Sequence, residues 1–412
     1  MSATQPVYFD HAATTPMSAS ALAAMTQELS RTGNPSSLHG AGRRAHRVVE
    51  ESRERLAAAA GAHSSEVIFT SGGTESDNLA IKGLFWARAA EVPGRRRILC
   101  STIEHHAVLD AVEWLAAHEN AEITWIDVDS TGRIRLDQWA AEIARDPSSI
   151  ALATVMWANN EVGTVQPVAE AVSLAAAHGI PVHSDAVQAF TAVPIAFRDS
   201  GLATLAISGH KIGGPVGIGA LLVRRDIVLT AVQHGGGHER ALRSGTLNTA
   251  AAAAFAAAAH DGATGLPAES ERLAGLRDDL IAGVRAAVPG AVLSGPEDPS
   301  HAGLRLPGNA HFTFPGCEGD SLLFVLDMLG VQSSTGSACT AGVPRPSHVL
   351  LAMGYPEEAA RGAQRFTIGH TTTAADVDQL VASLPEAHTR AKQAGMAAKK
   401  SRIQTAGTGL SV

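Results

Sequence analysis

The chain has 412 residues, 45% hydrophobic and 17% charged, with 40 acidic against 32 basic side chains and a formal net charge of −8. That composition supplies a large core, excludes global disorder, and argues against nucleic acid or an anionic membrane as a direct partner. Three scattered cysteines, Cys100, Cys317 and Cys339, suggest no disulfide framework. The opening MSATQPVYFDHAATTP lacks the basic and apolar blocks of a signal peptide, and the longest apolar run, 250–259, is too short to span a bilayer, so a cytoplasmic setting is expected.

From about 65 to 225, short β-rich runs alternate with helical stretches. EVIFT (66–70) reads as a strand and 75–90 as a helix; RRILCS (96–101) and 107–118 repeat the pair. Further strands are predicted at 121–128, 150–158, 180–186, 202–208 and 217–225, with helices near 137–146 and 167–178. Such alternation predicts a mainly parallel sheet covered by helices on both faces, with ligands at the carboxyl ends of its strands. An Ala-rich helix at 249–260 precedes DGATGLPAES (261–270), which reads as a boundary. Beyond it come a helix near 271–287, short strands near 291–294 and 309–314, a helix near 320–329, a polar loop, a β segment at 364–368 and a helix from 374. The expected organisation is an N-terminal segment (1–15) packing with the small domain, a large α/β domain (16–260), a smaller α+β domain (261–390) and a basic flexible tail (391–412).

Positive charge is written almost entirely as Arg: of five lysines, only Lys82 and Lys211 precede residue 392. Arg cannot lose its proton near neutral pH, whereas a desolvated Lys becomes a nucleophile or base. Polar clusters stand at three predicted strand ends. SGGTES (71–76) opens a helix, where backbone N–H groups and the Thr74 hydroxyl suit a phosphate, although taken alone it reads as an ordinary helix cap. HSDAVQ (183–188) ends a strand on Asp185, either a cap or a carboxylate aimed at a cation. SGHKIGGP (208–215) ends the next on Ser208, His210 and Lys211. A phosphate cradle, a carboxylate for a pyridinium and a Schiff-base lysine are together the parts of a pyridoxal 5'-phosphate site. Cys339 sits in QSSTGSACTAGVPRPSH (332–348), too polar for a core element and read as a surface loop.

DHAATTP (10–16), GNPSSLH (33–39), FTSGGTESDNLAIKG (69–83), EHHAVLD (104–110), ANNEVGTVQP (158–167), HGGGHERALRSGT (234–246) and SSTGSACTAG (333–342), with the clusters above, resemble the cysteine desulfurases of the NifS/IscS type. These are pyridoxal-phosphate enzymes of the class V aminotransferase group, with the fold type I architecture. The resemblance implies conversion of L-cysteine to L-alanine, with sulfur passing to Cys339 as a persulfide. It implies that Lys211 holds the cofactor and shuttles the Cα proton, and that Asp185 pairs with the ring nitrogen. Gln188 would bond the ring oxygen, and His105 would stack on the ring. Gly73, Thr74, Ser208 and His210 would bind phosphate, with Thr246 from the other subunit of a homodimer. Asn160 and Arg365, with Asn34, would hold the substrate carboxylate. A sulfur-acceptor protein, either an iron–sulfur scaffold or a tRNA-thiolation enzyme, is implied as partner, and Cys339 as a transient iron–sulfur ligand; no other metal site is expected. A selenocysteine lyase or related lyase, and a non-catalytic sulfur carrier, are the alternative readings. GHTTT (369–373) departs from the family pattern, since many relatives carry Arg in place of His370.

Overall fold

A computed structural model describes residues 6–336 and 346–406, with 395–406 as backbone alone. Seven strands form the central sheet: β2 (Val67–Thr70), β3 (Arg97–Ser101), β4 (Glu122–Ile126), β5 (Ile150–Thr154), β6 (Val182–Asp185), β7 (Thr204–Ser208) and β8 (Gly219–Val223), after a short β1 (Val7–Tyr8) that lies elsewhere. Their order is β2-β8-β7-β6-β5-β3-β4, and only β8 runs against its neighbours. β3, β5, β7 and β8 are buried at every position, as a sheet covered on both faces requires. One face packs Leu205, Ile207 and Val182 with Phe190, Phe197 and Phe255, and the other packs Ala206, Leu221 and Ile98 with Leu79, Leu84 and Val112. Because β2, β3, β5, β6 and β7 share one direction, their carboxyl ends meet along one edge. The chain leaves that edge through Gly73, His105, Asn160 and Lys211.

A second unit contains β9 (Val292–Leu293), β10 (Asn309–Thr313), β11 (Val331–Gln332) and β12 (Ala363–Thr367), with sheet order β12-β10-β9. Its core joins Phe312, Phe314, Phe366, Leu322 and Leu326 to Leu280, Val284, Leu380 and Leu384 from flanking helices. β1 pairs in parallel with β11, Asp10 bridges to Thr367, and Phe9 is fully buried in this second core.

Two sequence expectations change here. The predicted boundary at 261–270 is not a break but the middle of one helix, Thr249–Ala287, with Pro267 inside it. Its first half packs Phe255 and Ala259 into the large core, and its second half packs Leu280 and Val284 into the small one. Gly262 serves close packing rather than a turn, since a Cβ there would stand 2.7 Å from Thr191 Cβ. Of the flexible tail expected from 391, residues up to Ala406 continue the closing helix, Ala374–Ala406, with Ala391 fully buried in the small core, and 407–412 lie outside the described residues. Among the described residues no helix is long and apolar enough to cross a membrane.

Candidate active site

The edge where the strand ends meet holds a cavity of about 350 Å³, within the range of roughly 300–1,000 Å³ common for small-molecule sites. Gly73, Thr74, His105, Asn160, Asp185, Gln188, Ser208, His210, Lys211 and Arg365 all line it. Asn34 and Thr246 do not; both are exposed side chains outside this cavity. Cys339 lies outside the described residues, although Ser334 and Gly336, just before it, reach the cavity wall.

Each position follows from local structure. Helix Gly73–Glu91 begins directly after β2 with Gly72 as its cap residue, so no side chain satisfies its first N–H groups. A Cβ on Gly73 would meet Val187 Cγ2 at 2.7 Å, so only glycine lets this turn close against the β6 exit. Ser208 ends β7 facing the same space, and its Oγ is buried without a hydrogen-bond partner. His105 caps helix His106–Glu119: its Nδ1 accepts from the Ala107 N–H at 3.1 Å, which puts the proton of the neutral ring on Nε2. His106 stands at the cavity wall, 3.2 Å from Asp110 and with its ring 5.2 Å from that of His348.

Lys211 Nζ donates to the backbone carbonyls of Ala12 at 2.6 Å and Ala13 at 2.8 Å. Burial and then the charge of Arg365 bring its ammonium down to about 8, against opposing pulls from Asp185 and Asp10. Asp185 accepts from the Val187 N–H at 2.8 Å, and burial with the neighbouring Asp77 pushes it up to about 7. Burial pulls His105 down, partly opposed by Asp185, and brings His210 to about 4 with help from Lys211. Gln188 Nε2 donates to Ala12 O at 2.9 Å. Arg365 donates to Asp10 Oδ1 at 2.9 Å and to Asn160 O at 2.8 Å, while its buried Nε has no partner. The second early lysine, Lys82, lies over the Trp114 ring at 4.7 Å, far from this chemistry. His370 faces a neighbouring cavity together with His11.

Some participants escape sequence reasoning. Asp10 steers Arg365, and the Ala12 and Ala13 carbonyls fix Lys211, yet DHAATTP offers only a motif. His348 lines the cavity from the far side of the cysteine loop and bonds Glu104 O at 3.0 Å. Asp77 and His183 pair beneath Asp185 at 3.1 Å. The quoted ESDN and HSDA stretches contained both residues, but nothing in their spacing joined them.

The Aminotransferase class-V family model matches residues 7–380. The chain belongs to the class-V aminotransferase family. It is 51% identical over 391 residues to the IscS-like cysteine desulfurase of Mycobacterium tuberculosis, covering 95% of this chain and 98% of that one. A solved NifS-like protein superposes with a TM-score of 0.83 at 31% identity, over 93% of this chain and 99% of that chain. SspA in complex with cysteine superposes at 0.75 with 32% identity, over 88% and 98%. As a class-V aminotransferase of fold type I, the protein uses pyridoxal 5'-phosphate. The cavity fits that cofactor. The uncapped helix start and the unpartnered Ser208 Oγ suit a phosphate, Asp185 suits a protonated ring nitrogen, and the desolvated Lys211 suits an aldehyde.

Proposed function

We propose that this class-V aminotransferase is a cysteine desulfurase that converts L-cysteine to L-alanine and takes the sulfur onto Cys339 as a persulfide. The observation that carries the reading is the convergence of Lys211, Asp185, His105 and Arg365 on one cavity. Pyridoxal phosphate, when bound, supplies an aldehyde for an amine and a ring that draws electrons from the substrate's Cα. Lys211 would hold the cofactor and would move the Cα proton through its amine; Asp185 would serve the ring nitrogen, and His105, with its proton on Nε2, would contact the ring. The helix start at Gly73 and Thr74, with Ser208 and His210, holds the phosphate, and Gln188 bonds the ring oxygen. Arg365 and Asn160 orient the substrate carboxylate, Arg through its planar fork. The Cys339 thiolate then takes the substrate sulfur: cysteine plus thiol gives alanine plus persulfide, with no outside oxidant or reductant. The polar, glycine-bearing sequence around Cys339 suits a thiol that must reach both the cavity and an outside acceptor. Iron–sulfur scaffolds and tRNA-thiolation enzymes both accept sulfur in this form.

The exposed position of Thr246, outside its own cavity, supports a homodimer in which it reaches the partner subunit's phosphate site. The two packed cores, met along helix Thr249–Ala287, support a large cofactor domain and a smaller domain carrying the cysteine loop.

Cys339→Ser is expected to bind the cofactor and L-cysteine with unchanged visible spectra, but to form no protein persulfide by mass spectrometry and no alanine with a physiological thiol. Normal alanine release by that variant would refute the assigned role. Cofactor capture needs the neutral amine of Lys211, whose ammonium titrates at about 8. Loading of cofactor-free protein, followed by absorbance, is therefore expected to accelerate as pH rises from 7 to 9 and then to level. A rate that is flat across this window would exclude Lys211 titration as the limiting event.

A further inference from the structure

Beneath Asp185 lies a second pair of ionisable groups that the proposed reaction does not use. Asp77 and His183 are 1% and 0% exposed. Asp77 Oδ1 stands 3.1 Å from His183 Nε2, and His183 Nδ1 stands 2.9 Å from Thr204 Oγ1 on the neighbouring strand β7. His183 and Asp185 are two positions apart on β6 and so project from the same face of the sheet. Asp77 belongs to the first turns of the helix whose start forms the phosphate cradle, and it lines the cavity beside Asp185. An apolar pair would fill this volume without the cost of desolvating charge, so fold stability does not account for it.

We propose that Asp77 and His183 are positioning residues for the cofactor, a buried carboxylate–imidazole pair whose charge acts on Asp185 and, through it, on the proton of the ring nitrogen. This rests on the reading that Asp185 faces that nitrogen. With the His183 proton on Nε2, the imidazole donates to Asp77 while the Thr204 hydroxyl donates to Nδ1, so every polar atom of the ring is satisfied and the N–H favours the Asp77 carboxylate against burial, which pushes that carboxyl well up. A second negative charge behind Asp185 makes removal of a proton from either Asp185 or a ring nitrogen against it harder. Asp185 is surrounded by Asp77 from helix Gly73–Glu91, His183 from β6, Glu104 and His105 after β3, and Lys211 after β7. Burial pushes both Glu104 and Asp77 well above the usual carboxylate range; they differ in their partners, since Asp77 meets an imidazole nitrogen at 3.1 Å, whereas Glu104 has a 3.4 Å contact with the Thr154 hydroxyl and one oxygen without a partner. Burial raises the proton affinity of Asp185 most, and Asp77 is the neighbouring carboxylate that adds to it.

The test is Asp77→Asn, isosteric and uncharged, in the full-length protein. In the cofactor-free form, carboxyl carbon NMR is expected to move the Asp185 midpoint down from about 7, by about one unit or more. In the holoprotein, a nitrogen-labelled cofactor is expected to lose its ring proton at lower pH than in wild type. The wild-type protein supplies a second measurement that needs no variant: Asp77 and Asp185 should titrate as a coupled pair, each curve showing the other's midpoint. Independent single-step curves would overturn the proposal, as would an Asp77→Asn protein whose only change is a lower unfolding temperature. The cofactor-free titration is independent of the reading it builds on. That reading falls instead if Asp185→Asn keeps wild-type cofactor affinity and absorbance.

Discussion

Lys211→Ala is expected to purify without the visible absorbance of the holoprotein and to lose turnover by roughly 10³-fold or more. Lys211 is the lysine that lines the cavity, and burial beside Arg365 brings its ammonium to about 8. Its hydrogen bonds to Ala12 O and Ala13 O hold Nζ at the edge of the space. Lys82 cannot substitute, being engaged over Trp114. Phosphate-side contacts would survive, so the variant should still bind the cofactor weakly and reversibly, released by gel filtration. Absorbance and alanine release measured on the same preparation check both halves. Retention of the wild-type spectrum would remove Lys211 from its assigned position.

Arg365→Gln is expected to raise the KM for L-cysteine and to lower kcat/KM by about 10²–10³-fold, the range for truncating one member of a buried, hydrogen-bonded charge pair. Asp10 and the Asn160 carbonyl fix the guanidinium, which is 5% exposed, against the cavity wall. Removing it would take away the proposed partner of the substrate carboxylate and leave the Asp10 carboxylate without its guanidinium. Cofactor absorbance should persist, because no phosphate or ring contact is lost. A further sign follows: Arg365 lowers the Lys211 ammonium, so the variant's cofactor-loading profile should move to higher pH. Arg365→Lys should recover little, since an ammonium cannot meet a carboxylate with a planar fork. A variant with unchanged KM would place the carboxylate contact elsewhere.

The large unit was legible because its strands are buried on both faces and read as short apolar runs between helical patterns. Their ends carry polar residues that no core would retain, which is why Asp185, Ser208 and Lys211 stand out in the sequence. Contacts across long sequence separations were not legible. Arg365 and Asp10 meet 355 positions apart, and neither periodicity nor spacing connects them. Asp77, just past the first turn of a helix, reads as one more acidic residue near a helix start, and His183 inside a strand as one more polar interruption. Glycines and a proline at 262–267 read as a break because the sequence hides what they pack against; in the fold, buried side chains at both ends keep the helix whole despite the lost hydrogen bond at Pro267.

The segment from Val7 to Ala13 has a consequence for biosynthesis. It pairs with β11 and Thr367 through its backbone, sets Arg365 through Asp10, and receives Lys211 on Ala12 and Ala13. This stretch therefore docks against one made much later: Asp10 meets Arg365, 355 positions further along the chain. Until translation has passed Thr367, the central sheet can close, but Arg365 and Lys211 lack their shared anchor. Nascent chains stalled before that point should hold a folded sheet and an unfinished site.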